Sequence, residues 1–228
     1  MKHPIQAIIF DLDGTLIDSI RDIAGCANAV LKDWGYPVHS VETYTELIGD
    51  GLKNLARKVL PMTQRSPEEI ERFVTAYREY YQTRWRETSM AYEGIPELLS
   101  SLAERGIPLA VLSNKRDDFT RVCVDHFFPS ISFHEVRGER AGVPIKPDPQ
   151  AALEIATSIG ADPTRCLFVG DSEIDVQTGI RAGMTSVAVT WGFRPIRVLE
   201  EAGATVFISK PKELLGLLSS AVVESATS

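Results

Sequence analysis

Cysteine is scarce in this chain: Cys26, Cys123 and Cys166 are odd in number, scattered along 228 residues, and never in a CxxC pair. That favours reduced thiols packed as small hydrophobes over a disulfide frame or a cysteine zinc site. Basic residues are also in deficit. Twenty-four Lys and Arg against 31 Asp and Glu leave a formal charge of -7, and no stretch interleaves cations with aromatics. Neither nucleic acid nor an anionic membrane is therefore expected as a partner. Long apolar runs are missing. The opening MKHPIQAIIF has one lysine and a short apolar stretch broken at Asp11, which predicts neither a signal peptide nor a membrane span, and a cytoplasmic location. Internal repeats are absent too, and the tail ESATS at 224–228 is expected to fray. His3, His39, His126 and His134 have no metal-ligand spacing.

What is present is a hydrophobic content of 44%, enough for a substantial core in one large domain or a domain with an insertion. Residues 5–10 read as a buried strand. From Ser19 the pattern turns helical through Ile20, Ile23, Ala24, Ala27, Leu31 and Trp34, with Asp18 placed to cap and Gly35 after the end. A second helix follows IGDG, through Leu52, Leu55, Ala56, Val59 and Leu60. A third covers 68–87 through Ile70, Phe73, Val74, Tyr77 and Tyr81. Trp34, Tyr77 and Trp85 read as the core of this helical stretch, and Lys53, Arg57 and Lys58 as a solvated face. After Tyr92, helices alternate with strands that are apolar throughout, such as IPLAVLS, CLFVG and TSVAVT. Such strands belong to a parallel sheet covered on both faces, so a doubly wound α/β domain with a helical insert behind its first strand is predicted.

Polar residues end three of these strands: Asp11 after 5–10, Ser113 with Asn114 and Lys115 after 107–112, and Asp171 after 167–170. In open parallel sheets the ligand crevice lies outside those ends, so these groups should converge. Asp11 and Asp13, about 6.6 Å apart if extended, can address one ligand if the chain turns at Gly14. With Asp171 they form a pocket of hard oxygens suited to Mg²⁺, which is usually held by one or two carboxylates, waters and a substrate phosphate. Ser113 and nearby backbone N–H groups can grip phosphate oxygens, and Lys146 can supply a fixed positive charge. Each residue also has a plainer reading. Asp and Gly after a strand make turns, Ser113 and Asn114 can cap the next helix, Lys146 sits beside a Pro-rich turn, and Asp175 suits the first turn of a helix.

DLDGT at 11–15, LSN at 112–114, KPDP at 146–149 and GDSEID at 170–175 resemble, in order and spacing, the four motifs of the haloacid dehalogenase superfamily, across essentially the whole chain. The resemblance implies a Rossmann-like catalytic core, 1–16 and 91–228, with a mobile helical cap over 17–90. It implies Asp11 as a nucleophile that forms a phosphoaspartate, and Asp13 as the acid that protonates the leaving group and then the base that activates water. Asp171, Asp11 and the backbone carbonyl of Asp13 would hold Mg²⁺, Ser113, Asn114 and Lys146 would bind the phosphoryl group, and Asp175 would steady the metal's waters.

LIGDGLKNL at 47–55, the stretch 92–115 and VTWGF at 189–193 are most similar to the phosphoglycolate phosphatases within that superfamily. This implies Mg²⁺-dependent hydrolysis of a small phosphorylated metabolite, foremost 2-phosphoglycolate, by a monomer or homodimer. Gly49, Asp50 and Gly51 have two open readings, an N-cap turn or a set of N–H groups and a carboxylate for the substrate. A β-phosphoglucomutase-like phosphotransferase or an inorganic pyrophosphatase carries the same four motifs. A noncatalytic phospho-receiver module would need neither the insert nor Asp13. The sequence departs from the family pattern at VRGERAGVPIKP, which lacks a Gly-Asp pair, and at Gly179, where alanine is usual.

Overall fold

The computed structural model describes residues 4–223, with side chains to 218; His3 and the ESATS tail lie outside the described residues. The chain forms two compact units, one of the residues up to Leu16 and from Ala91 onward, the other Ile17–Met90.

In chain order, β1 (Ala7–Phe10) and the short β2 (Ile17–Asp18) precede α1 (Ile20–Asp33), α2 (Val41–Leu47), α3 (Leu52–Val59) and α4 (Pro67–Arg84). Then come β3 (Met90–Ala91), α5 (Ile95–Glu104), β4 (Leu109–Arg116), α6 (Asp117–Phe127), β5 (Glu135–Glu139), α7 (Gln150–Ile159) and β6 (Cys166–Gly170). α8 (Glu173–Arg181), β7 (Thr185–Val189), α9 (Ile196–Glu201), β8 (Val206–Ile208) and α10 (Glu213–Val223) complete the order.

The main sheet has six strands in the order β5-β4-β1-β6-β7-β8, and every pairing is parallel. Apolar-throughout strands demand cover on both faces. Ala7, Ile9, Leu112 and Phe168 pack with Ala152 and Ile155 of α7, while Ala188 packs with Val176 of α8 and Leu199 of α9. Because β1 lies between β4 and β6, the chain changes direction of growth across it, which opens a crevice at the carboxyl ends of all three. The Gly179 departure is a packing matter: a Cβ there would press on Phe168 and Ser186, so glycine lets α8 lie close to β6 and β7.

Several boundaries differ from the sequence expectation. β4 continues to Arg116, with a slip in its register against β5 between Leu112 and Arg116; Ser113, Asn114 and Lys115 therefore sit in the strand and not beyond it. The strand β5 is not visible in the hydrophobic pattern because Glu135, Arg137 and Glu139 make it a charged edge, which protects against pairing with other chains. The short helices α2 and α9 also escape an analysis based on periodicity. α1 has Ser19, not Asp18, at its N-cap. The three cysteines are buried and free, and burial pushes their thiols up, to about 12 for Cys26 and about 11 for the other two.

In the helical unit, Trp34 meets Phe73 edge-on at 6.1 Å and Tyr77 stacks on Tyr81 at 5.4 Å, and Trp85 is buried. A buried acid closes this unit. Asp22, 5% exposed, accepts from the backbone N–H and hydroxyl of both Thr88 and Ser89 at 2.6–3.1 Å. Burial opposes its charge, but these hydrogen bonds hold its carboxyl below the usual range. Asp22→Ala should cost about 2 kcal/mol, since it removes hydrogen bonds made to a charged acceptor, measured as a lower urea midpoint at pH 7. A depressed folded pKa stabilises above the unfolded value and is lost as pH falls through the folded one, so the deficit should shrink in acid. A deficit independent of pH would count against the ionised carboxylate as the source.

Candidate active site

β1 delivers Asp11 one residue past its last paired position, where the Asp11 N–H still donates to the Val169 carbonyl at 2.9 Å. The chain then turns, Leu12 accepting from both Thr15 and Leu16, and Gly14 takes φ +91°. A side chain is disfavoured there twice over, by backbone conformation and because a Cβ would overlap the Asp171 carboxylate. Gly192 is confined against Asp171 in the same way, and Gly170 against Asp175. The glycines of DLDGT, GDSEID and WGF thus leave room for buried acids.

Asp171 follows β6 and is 1% exposed. Its Oδ1 accepts from the Thr15 hydroxyl at 3.1 Å and its Oδ2 from the Phe193 N–H at 2.7 Å. Asp175 opens α8 in a reciprocal cap with Ser172, whose N–H and hydroxyl donate to Asp175 Oδ2. Lys146, 3% exposed, places its ammonium 2.7 Å from Asp11 Oδ1 and 2.7 Å from Asp175 Oδ1. Asn114 fixes that lysine, donating to the Lys146 carbonyl and accepting from its N–H, both at 2.9 Å. Ser113 is buried beside it and accepts from the Lys115 N–H at 3.2 Å.

Carboxylate oxygens of Asp11, Asp171 and Asp175 all lie within 4.8 Å of one another. Three buried acids, with one ammonium shared by Asp11 and Asp175, leave excess negative charge. Burial first, then the neighbouring Asp175, pushes the Asp11 carboxyl up to about 7 despite Lys146. Burial, Asp175 and Asp11 push Asp171 well above the carboxylate range. Lys146 goes the other way: burial disfavours its charge, but Asp11 and Asp175 more than offset that and hold it above the usual lysine range. Hard oxygen donors with an unmet need for positive charge fit a divalent cation. Asp175 engages one oxygen with the Lys146 ammonium and the other with Ser172.

Asp13 points elsewhere. Its carboxylate pairs with the Lys115 ammonium, 2.6 Å from each oxygen. Sequence reasoning left Lys115 without a role, though it directly follows Asn114 in the SNK run.

Gly49, Asp50 and Gly51 belong to the helical unit, where Gly49 has φ +120° and Gly51, at the N-cap of α3, has φ +88°. Asn54 donates to the Asp50 carbonyl at 2.9 Å. Lys58 reaches both the Asp50 carboxylate, at 2.9 Å, and the Leu47 carbonyl, at 3.1 Å. Lys58 is therefore a loop tie rather than part of a solvated face, while Lys53 keeps to an exposed pair with Glu71. Asp50 Oδ1 is shielded from solvent and accepts no hydrogen bond.

Residues 8–189 match the haloacid dehalogenase-like hydrolase family. The chain is 32% identical to a phosphoglycolate phosphatase of Aquifex aeolicus (strain VF5), over 96% of this chain and 100% of that protein. It is 28% identical to an N-acetylmuramic acid 6-phosphate phosphatase of Pseudomonas aeruginosa, over 96% and 97% respectively. A crystal structure from Lactobacillus delbrueckii subsp. bulgaricus superposes with a TM-score of 0.88 at 28% identity, covering 94% of this chain and 98% of that one. Among the described residues, no helix is long and apolar enough to cross a membrane.

Proposed function

This chain belongs to the haloacid dehalogenase-like hydrolase family, and on that premise we propose that it is a Mg²⁺-dependent phosphatase of small phosphomonoesters, with 2-phosphoglycolate the leading substrate. One observation carries the reading: carboxylate oxygens of Asp11, Asp171 and Asp175 cluster at the carboxyl ends of β1 and β6, with the Lys146 ammonium on Asp11 and Asp175. Asp11, Asp171 and the backbone carbonyl of Asp13 would hold Mg²⁺, which when bound offsets the charge of the acids and of the phosphate dianion. Lys146 and Ser113 hold the phosphoryl oxygens, and Asn114 holds Lys146. The Asp11 carboxylate attacks phosphorus, the P–O bond to the leaving group breaks, and Asp13 gives that oxygen its proton. Asp13 then takes a proton from the water that attacks the phosphoaspartate, which frees phosphate and restores Asp11. The helical unit acts as the cap that chooses the substrate, with Gly49, Asp50 and Gly51 as recognition residues.

The test is phosphate release with Mg²⁺ from 2-phosphoglycolate, N-acetylmuramic acid 6-phosphate, hexose phosphates and pyrophosphate, compared as kcat/KM. The highest value is expected for 2-phosphoglycolate. The likeness to an enzyme named for N-acetylmuramic acid 6-phosphate makes a sugar phosphate the second reading, and a higher value there would favour it. Preferred cleavage of pyrophosphate, or interconversion of sugar phosphates, would overturn the assignment.

A related expectation separates the acids. Asp175→Asn should raise the Mg²⁺ concentration for half-activation about tenfold, the scale of an outer partner, and Asp171→Asn should raise it far more. Calorimetric titration with Mg²⁺ reads the same order without turnover. Equal shifts would mean that Asp171 is not the more direct ligand.

A further inference from the structure

The Lys115–Asp13 pair is two-pronged, and its side chains are only 10% and 15% exposed. Taking both charges out of water is costly, so a pair this enclosed is not surface decoration. The backbone under Lys115 is fixed as well. Its N–H donates to Ser113 Oγ at 3.2 Å and its carbonyl accepts from Thr120 Oγ1 at 3.1 Å. Gly138 of β5 permits close approach, since a Cβ there would overlap the Lys115 carbonyl, and the Gly138 N–H donates to Asp117 at 2.8 Å. This junction lies where β4 slips register against β5. The site thus has a buried and a half-buried ammonium group with separate duties, Lys146 on Asp11 and Asp175 and Lys115 on Asp13.

We propose that Lys115 is a positioning residue for Asp13: its ammonium orients the carboxyl group while it carries the proton it gives to the leaving oxygen, and pairs with both oxygens of the carboxylate that remains, so that proton transfer out, and back from the attacking water, runs from one fixed orientation. Lys115 keeps its own protons and acts through Asp13. The inference rests on the reading of Asp13 as acid and base, and a double-mutant cycle keeps the two apart.

Lys115→Met should lower kcat about tenfold on the best-hydrolysed alkyl phosphate, with KM changed by less than about twofold, a share of the roughly 10²–10⁴-fold that proton transfer supplies. On p-nitrophenyl phosphate, whose leaving group needs little protonation, the loss should be under about twofold. Added to Asp13→Asn, Lys115→Met should have almost no further effect. Lys115→Gln, which keeps one kind of donor, should fall between, and it carries the same cycle if the Met variant does not fold. Losses that add in the double variant, or equal losses on both esters, would overturn the role of Lys115 alone. Full turnover in Asp13→Asn would overturn the reading of Asp13 and the inference with it.

Discussion

Lys146→Met should cost the protein both stability and turnover. Lys146 is 3% exposed and sits 2.7 Å from two of the three clustered acids. Breaking a buried ion pair from one side leaves the other charge without compensation, at about 3–5 kcal/mol. Turnover should fall by about 10³-fold or more, because under the proposed mechanism the phosphoryl group loses a charge-assisted donor and Asp11 is driven further toward its neutral form. The sign of the pH effect follows from the acids. A carboxyl whose folded pKa lies above its unfolded value weakens the fold as pH rises between the two, and Asp11 already stands at about 7 with Lys146 present. Without the ammonium that range extends upward, so the gap in thermal midpoint between variant and wild type should be wider at pH 8 than at pH 5. Midpoints that coincide at both values would show that Lys146 does not bear this charge.

The acids at strand ends were legible because a buried strand announces itself by an apolar run, and the next polar residue then stands at the sheet's carboxyl edge. Asp11 and Asp171 came out of that rule, and Asp175 and Lys146 out of motif order. The pairing of Lys115 with Asp13 could not, because it spans 102 residues and local pattern does not say which acid a lysine reaches. The same holds for Asn114. Its position suggested contact with a phosphoryl group, whereas the fold turns its amide onto the Lys146 backbone. Lys58 illustrates a different gap: helical periodicity gives the polar face of α3, but not that a preceding loop folds back within its reach. The strand β5 was hidden by its own charges, since an edge strand has little burial to impose a pattern.

Asp11→Asn should remove turnover almost entirely, by about 10⁵-fold or more, the scale seen when a nucleophile is lost. An amide attacks phosphorus poorly, so no phosphate should appear on the protein in rapid-quench mass spectrometry with either p-nitrophenyl phosphate or 2-phosphoglycolate. Loss of activity alone would not separate chemistry from misfolding, but stability should. The Asp11 carboxyl stands at about 7, raised first by burial and then by Asp175, so its ionised form strains the metal-free fold. The amide removes that charge while its oxygen can still accept from Lys146, whose partner Asp175 remains. The variant should therefore melt no lower than wild type in chelator, and its advantage should be larger at pH 8, where Asp11 is ionised, than at pH 5. A site arranged for function gives up stability in this way, and inactive variants recover it. Covalent phosphate on Asp11→Asn would show that another residue is the nucleophile, and an active variant would leave Asp11 no part in the chemistry.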